Sequence, residues 1–425
     1  MTEELIALAD NFEVGRVLKQ GGRISFTYNH AWQRHADGFP MSLSMPLIMT
    51  DHGHAPIEAF LLGLLPDNVN VLDKWAQRFH VSARNPFALM KHVGEDCAGA
   101  IQFIRPERRE QLRTESAKSE IQWLTEQDVA ERLRLLREDH SAWRIARDTG
   151  QFSLAGAQPK TALLFRKGRW GVPSGRTPTT HILKPPMGEW EGHAENEHFC
   201  LELAARMGLI AAKTTVERFQ DEVAIVIERY DRIPISSGFI RIHQEDICQA
   251  MGLPPTRKYE SEGGPNIQDI AELLRTNSKR PDEDLSAFVD AVAFNWLIAG
   301  TDAHAKNYSI LIGAQGTIRL APLYDVASIL PYPGIHVPKL KMAMKIGGHY
   351  DLRMIGLRQW KAMATQLRLD EEQLVQRLQT LAAELPDQAT SVARRIEREL
   401  KHPIIKRLAE AVTKRGRQCA QLLEV

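Results

Sequence analysis

The sequence predicts an α+β fold in which a β-rich half precedes an α-rich half. Three observations carry that reading. Short runs of β-branched or alternating apolar residues, punctuated by glycine turns, dominate as far as residue 232. Beyond them lies a long apolar stretch at 282–299, "DEDLSAFVDAVAFNWLIA", and after Leu357 helical spacing is nearly continuous. With 425 residues the chain exceeds one ordinary core, so two or three folding units are expected.

Composition narrows the class. Lys and Arg total 54 against 53 Asp and Glu, a formal net charge of +1, so no global field draws the molecule to nucleic acid or membrane. Cys97, Cys200, Cys248 and Cys419 lie far apart without a C-x-x-C pair, which argues against a zinc site and a disulfide framework. The opening "MTEELIALAD" is acidic and lacks the layout of a signal peptide, and no run of 18 apolar residues occurs. A cytoplasmic protein without membrane contact is expected.

The elements follow in order. "FEVGRVLKQGGRISFTY", residues 12–28, reads as two strands around a glycine turn. "LLGLLPDNVNVLDKWAQRF" reads as helix with Pro66 at a start or break, and "NPFALMKHVGEDCAGAIQFIRP" as helix, turn and strand. Residues 1–107 thus form a first α+β unit, and the charged, helix-prone residues 108–148 form a linker or insert. Residues 149–232 bring "KTALLFRKGRWGVPSG" as strand, turn and strand, then "TTHILKPP" as a third strand. "AENEHFCLELAARMGL" is a helix closed by Gly208, and "KTTVERF" and "VAIVIERYDR" are two further strands. Residues 233–425 are mostly helical, with Pro386 and Pro403 as expected breaks.

Within that last region "GTDAHAKNYSILIG" and "IRLAPLYDVAS" concentrate polar residues around two strand-like runs joined by the turn "GAQG". Pairing them as a hairpin brings Asp302 and Asn307, before the first strand, toward Asp325, after the second. Two carboxylates and an amide oxygen are hard acceptors suited to Mg²⁺ and phosphate oxygens. The spacing from Asp302 to Asn307 matches that of the catalytic Asp and metal-binding Asn of phosphoryl-transfer enzymes, which carry a second metal-binding acid downstream. His304 is a candidate beside the transferred phosphate, or else a loop histidine.

Upstream, residues 149–184 contain no acid but six bases: Lys160, Arg166, Lys167, Arg169, Arg176 and Lys184. Such a stretch suits a polyphosphate, or forms a solvated basic face. Within it Ser153, Leu154, Ala155, Gly156, Ala157, Gln158 and Lys160 read as a tight backbone loop around Gly156. It matches neither G-x-x-x-x-G-K-[ST] nor G-x-G-x-x-G. Lys184 ends a strand where it can reach α/β-phosphates, and Glu197 on the next helix can pair with it, in competition with Glu195 and Glu202. Glu228 and Tyr230 close the last strand of this region, where backbone can receive adenine; a surface salt bridge is the plainer reading of Glu228 and Arg229.

Together "FSLAGAQPKTALL", "TPTTHILKPP", "NEHFCLELA", "ERYDR", "QEDICQAMGLPPTRKYESEGGP", "WLIAGTDAHAKNYSILI" and "LAPLYDVAS" resemble the HipA family, the toxin kinases of bacterial HipBA toxin–antitoxin modules. "VGRVLKQGGRISFTY", "LLGLLPDN" and "GEDCAGAIQF" resemble that family's extra N-terminal subdomain. The resemblance implies a bilobal protein-kinase-like fold and ATP-dependent phosphorylation of serine or threonine. It implies Asp302 as catalytic base, Asn307 and Asp325 as Mg²⁺ ligands, Lys184 as phosphate contact and Ser153 as an autophosphorylated serine. Family members often carry an acid where this chain has Pro159. The implied partners are a HipB-type helix-turn-helix antitoxin, operator DNA through it, and an aminoacyl-tRNA synthetase as substrate, glutamyl-tRNA synthetase being the described target.

Other chemistries find less support. There is no H-E-x-x-H and no G-x-S-x-G, His193 and His198 do not share a helix face, and "DHGH" at 51–54 reads as loop. Residues 391–417 hold nine Lys/Arg against three Glu, a DNA-facing or, more plainly, a solvated helical face. A small-molecule kinase and a non-catalytic co-repressor are the rival functions.

Overall fold

A computed structural model describes residues 2–115, 121–139, 152–175, 177–186, 188, 190–236 and 238–424; Arg176 and residues 140–151 lie outside them. The chain is α+β and divides into two compact units. One comprises Met1–Pro185, Glu217–Thr256 and Ser309–Ile318, the other Pro186–Val216, Arg257–Tyr308 and Arg319–Val425.

The first unit begins with a five-stranded antiparallel sheet in the order Asp51–His52, Arg23–Tyr28, Phe12–Gln20, Glu3–Ala9, Ile101–Ile104. The hairpin expected at 12–28 forms, its turn carried by Gly21 and Gly22 at positive φ. Glu3–Ala9 was legible only as an acidic lead-in. It lies inside the sheet, and Leu5 to Ala9 are all buried, so the alternation that marks a half-exposed strand is missing. Helices His54–Leu64 and Val69–Phe79 flank Pro66, the former ending at an extended Leu65. The loop expected at 51–54 is instead a two-residue strand and the start of the first of these helices.

A second sheet runs in the order Thr214–Phe219, Glu222–Glu228, His181–Lys184, Thr161–Arg166, Arg169–Pro173, Ile121–Trp123. Its last strand belongs to the segment expected to be a linker or a small helical insert. Helices Arg108–Glu115 and Glu126–Glu138 are present, but Ile121–Trp123 pairs with Arg169–Pro173, a strand too short to leave a sequence period. A third sheet pairs His243–Asp246 with Ser309–Ile312 antiparallel. Residues 35–43 anchor that pair. His243 Nε2 lies 2.8 Å from the Met41 carbonyl, the Leu43 N–H donates to Glu245 Oε1 at 2.8 Å, and the Gln315 N–H donates to the Gly38 carbonyl at 2.7 Å.

A buried ion cluster joins the parts of this unit. Arg229, expected at the surface, is 4 % exposed and forks onto Asp231 at 3.0 and 2.9 Å. Arg232 donates to Asp231 at 2.8 Å and to Asp96 at 2.9 Å, while Thr179 donates to Asp96 through both its N–H and its hydroxyl. The Gly99 N–H and the Cys97 carbonyl complete the shell. Burial alone would raise the Asp231 pKa, but Arg229 and Arg232 hold it well below the usual carboxylate range.

In the second unit the apolar helix Pro281–Ile298 is buried, as its composition predicts. Pro403 starts a helix, but Pro386 does not break one: Glu371–Leu400 runs through it for 30 residues. Leu378, Leu381, Leu385 and Ala389 are buried around it, and that packing outweighs the missing N–H. The basic run 391–417 is not uniformly solvated, since Arg415 is buried with its guanidinium 5.4 Å from the Trp296 ring centre. Among the described residues no helix is long and apolar enough to cross a membrane.

Two outcomes follow for stability. Asp231→Ala leaves two buried guanidiniums short of a partner and is expected to cost about 3–5 kcal/mol in denaturant unfolding. Glu245 is buried and its carboxyl is pushed up to about 8 by burial, so the folded chain keeps a proton that the unfolded chain releases near pH ~4.3. That stabilisation is complete below pH ~4 and declines until the pH passes ~8. Urea midpoints should therefore show wild type matching Glu245→Gln near pH ~5 and falling behind it near pH ~8.

Candidate active site

The second unit builds its polar centre at the end of helix Pro281–Ile298. Ala299 ends the helix in the left-handed region, φ 53°, with its N–H on the Asn295 and Trp296 carbonyls. Gly300 follows in close contact: a Cβ there would lie 2.4 Å from Asn295 Oδ1. The chain then releases Asp302, whose side chain is exposed, while His304 to Asn307 are buried again. The Asn307 Nδ2 donates to the Asp302 carbonyl at 2.8 Å, which commits the donor end of the amide and leaves its oxygen end for a cation.

Asp325 arrives on a segment pinned on both sides. Leu323 exchanges backbone bonds with Ile210 and Ala212 at 2.9 and 2.8 Å. Ser328 bonds reciprocally with the Asn196 amide, and its hydroxyl donates to the Ile298 carbonyl at 2.6 Å. Between these anchors Asp325 takes φ 58°, a conformation costly for most residues but tolerated by Asp. The Tyr324 hydroxyl donates to the Lys306 carbonyl at 2.7 Å, tying the two polar segments together.

His304 and Asn307 follow Asp302 on one short segment, which Tyr324 ties to the segment that carries Asp325. His304 is 5 % exposed, and the carboxylates of Asp302 and Asp325 both act on its imidazole. Burial nevertheless lowers its pKa, with Lys258 acting the same way, so the neutral ring is the favoured form and the cation is not. By their chemistry, two carboxylates and an amide oxygen are hard donors of the kind Mg²⁺ takes. Sequence reading missed Tyr259, whose hydroxyl donates to Asp302 Oδ1 at 2.7 Å and whose ring meets His304 edge-on at 4.9 Å. The only signal for it was its place in "RKYESEGGP", which names no partner.

The residues expected to hold nucleotide lie in the first unit, except Glu197. The loop 153–160 is tight, with Gly156 at φ 101°, and is bonded to the N-terminal part of the unit. The Ser153 N–H donates to the Asp96 carbonyl, its hydroxyl to the Leu64 carbonyl at 2.7 Å, and the Asp67 N–H to the Gly156 carbonyl at 3.0 Å. Ser153 and Leu154 are buried, Ala155 and Gly156 are half-buried and Ala157 is exposed. Lys160 folds back onto the Ala155 carbonyl at 2.6 Å. Gln158 shares this loop, and Lys184 is buried opposite Ile225.

Among the described residues of the basic stretch, Arg166, Lys167 and Arg169 do not join them. Arg166, Lys167 and Arg169 are exposed on a turn, and Arg169 covers the Trp123 ring. Glu228 is half-buried at the end of its strand, and the Tyr230 hydroxyl donates to Gln244 Oε1. Glu197 is fully buried in helix His193–Arg206, whereas its competitor Glu202 is bonded to Arg395.

Comparison with known proteins identifies the chain's relatives. A family model for the HipA-like C-terminal domain matches residues 152–389, and one for the HipA N-terminal domain matches residues 5–104. The protein Y4mE of Sinorhizobium fredii is 40% identical over 81% of this chain and 80% of its own length. The serine/threonine-protein kinase toxin HipA of Shewanella oneidensis is 30% identical over 86% of this chain and 83% of its own. A chain of the solved complex of HipA, HipB and operator DNA from the same organism superposes with a TM-score of 0.83 at 25% identity, covering 99% of this chain and 98% of that one. Two domain models in sequence order, near-complete coverage of a relative and a shared α+β kinase-like fold have one explanation: the chain belongs to the HipA family of kinase toxins.

Proposed function

We propose that this chain is an ATP-dependent serine/threonine protein kinase, acting as the toxin of a toxin–antitoxin module. The observation that supports the reading is the tie between two polar segments: the Tyr324 hydroxyl, beside Asp325, donates to the Lys306 carbonyl, and the Asn307 amide donates to the Asp302 carbonyl. Phosphoryl transfer needs positioning and charge neutralisation more than covalent chemistry, and these residues supply both. Asp302 accepts or orients the proton of the substrate hydroxyl. Lys184 steadies the α/β-phosphates, and Glu197 is the acid assigned to it. Backbone at Glu228 and Tyr230 receives adenine. His304 walls the loop as a neutral ring. Asn307 and Asp325 would hold Mg²⁺, which when bound neutralises charge on phosphate oxygens.

The partner assigned here is a HipB-type helix-turn-helix antitoxin, with operator DNA reached mainly through it; the solved complex of the relative holds HipA, HipB and operator DNA. The substrate class is an aminoacyl-tRNA synthetase, with glutamyl-tRNA synthetase as the first candidate, so that modification halts translation. Ser153 is the self-modified residue. Its hydroxyl is buried on the Leu64 carbonyl, so transfer to it requires the loop to leave that position. A dianion there cannot regain the site without losing its hydration, and it repels a triphosphate.

Two experiments test this. With labelled ATP and a bacterial lysate, wild-type protein should label a protein band, and Asp302→Asn should lower the rate about 10²–10⁴-fold. Label confined to small molecules, or full turnover by the variant, refutes the reading. Phosphopeptide mass spectrometry should find Ser153 modified in wild type and unmodified in Asp302→Asn. Ser153→Ala should remove that peptide while retaining transfer to the lysate band.

A further inference from the structure

We propose that Tyr259 is the positioning residue for the carboxylate of Asp302, carried on a self-bonded loop that straps the catalytic segment; the assignment rests on Asp302 acting as proposed above. Asp302 is exposed on a loop, so nothing in its own packing fixes its rotamer. A catalytic oxygen displaced by about 1 Å can lower a rate 10²-fold, so such a group needs a holder. The Tyr259 hydroxyl, 43 residues away in sequence, meets Oδ1 at 2.7 Å. A bond from a neutral donor to an ionised acceptor is short and directional. It occupies one carboxylate oxygen and leaves Oδ2 for the substrate hydroxyl.

The neighbours of Tyr259 hold the same segment. The Lys258 carbonyl accepts the Ala305 N–H at 3.2 Å, so residues 258 and 259 grip residues 305 and 302 respectively. Glu260 accepts the Lys345 N–H at 2.7 Å and pairs with the Lys345 ammonium at 3.4 Å, fastening the strap to strand Lys341–Ile346. The strap is closed on itself. Arg257 donates to the Gly263 carbonyl at 2.6 Å, and the N–H groups of Glu262 and Gly264 donate to the Tyr259 carbonyl at 3.0 and 2.9 Å. Gly263 has φ +80°, and a Cβ on Gly264 would lie 2.2 Å from the Arg257 carbonyl oxygen. The two glycines of "RKYESEGGP" are what allow so tight a closure. A half-buried tyrosine could leave its hydroxyl in water without cost. Here the hydroxyl is delivered to the catalytic carboxylate from a rigid base, as a positioning group must be.

The test is Tyr259→Phe, which keeps the ring against His304 and removes only the donor. In the lysate-labelling assay kcat should fall roughly 10- to 100-fold. KM for ATP should stay within about twofold and the melting temperature within about 2 °C. In an Asp302→Asn background the same substitution should change the residual rate by less than about twofold, because the group it positions is gone. A Tyr259→Phe rate equal to or above wild type overturns the assignment while leaving the kinase reading intact. So does a loss shared by ATP affinity and melting temperature, or a further full loss on top of Asp302→Asn. Full activity in Asp302→Asn alone removes the kinase reading and this assignment with it.

Discussion

The first unit depends on a charge problem solved once. Asp96, Arg229, Asp231 and Arg232 are all buried, and none can be ionised there unless the others stand at hydrogen-bond distance. Desolvating such groups costs several kcal/mol each, so the cluster exists only in one arrangement of three chain segments, 96–99, 179 and 229–232. What the cluster contributes is specificity more than net stability. Fixing Asp96 also fixes its carbonyl, which receives the Ser153 N–H, and fixing residue 229 sets the end of the strand that faces Lys184. The loop 153–160 and Lys184 are therefore placed by the same carboxylates.

The second unit solves the corresponding problem with neutral groups. Asn196 and Ser328 satisfy each other, Ser328 caps the Ile298 carbonyl, and Asn295 supplies the carbonyl that turns Gly300. Every one of these bonds ends on backbone, so what they fix is the path of the main chain leading to Asp302 and Asp325. The left-handed Asp325 is the residual strain, tolerated because Leu323 and Ser328 are held on either side. A carboxylate presented by strained, doubly anchored backbone has few alternatives to the position it occupies.

Much of this was readable where chemistry is local. The spacing from Asp302 to Asn307, the hairpin beyond it and the later Asp325 are fixed by a few residues of chain, and Tyr324 ties the two polar segments together. The strands at 12–28, 161–173 and 222–228 carried their own turns. What escaped was decided by partners remote in sequence. Arg229 looked like a surface residue because Asp96 lies 133 positions away. Glu3–Ala9 was not read as a strand because burial on both faces erases alternation. Pro386 looked like a break because packing around a helix interior leaves no local mark. Tyr259 carried a motif but no hint of its acceptor. In each case local propensity was outvoted by a tertiary contact, and no window of sequence contains that vote.

The contrast between these two kinds of anchorage has a consequence for the loop 153–160. Ser153 and Gly156 are tied to the rest of the unit by neutral bonds to backbone, at Leu64, Asp67 and Asp96, each contributing about 0.5–1.5 kcal/mol net. Two apolar neighbours, Phe152 and Leu154, are buried on either side of Ser153, and burial of such side chains contributes about 1.5–3 kcal/mol each. Most of the loop's retention thus comes from Phe152 and Leu154, which flank the hydroxyl proposed to be modified. A phosphate on Ser153 cannot be accommodated by shifting one hydrogen bond, because the residues beside it would have to leave with it. The ion cluster beneath meets Ser153 through the Asp96 carbonyl, while its carboxylates are held by Arg229, Arg232 and Thr179. The loop can therefore be released whole while the scaffold that receives it persists.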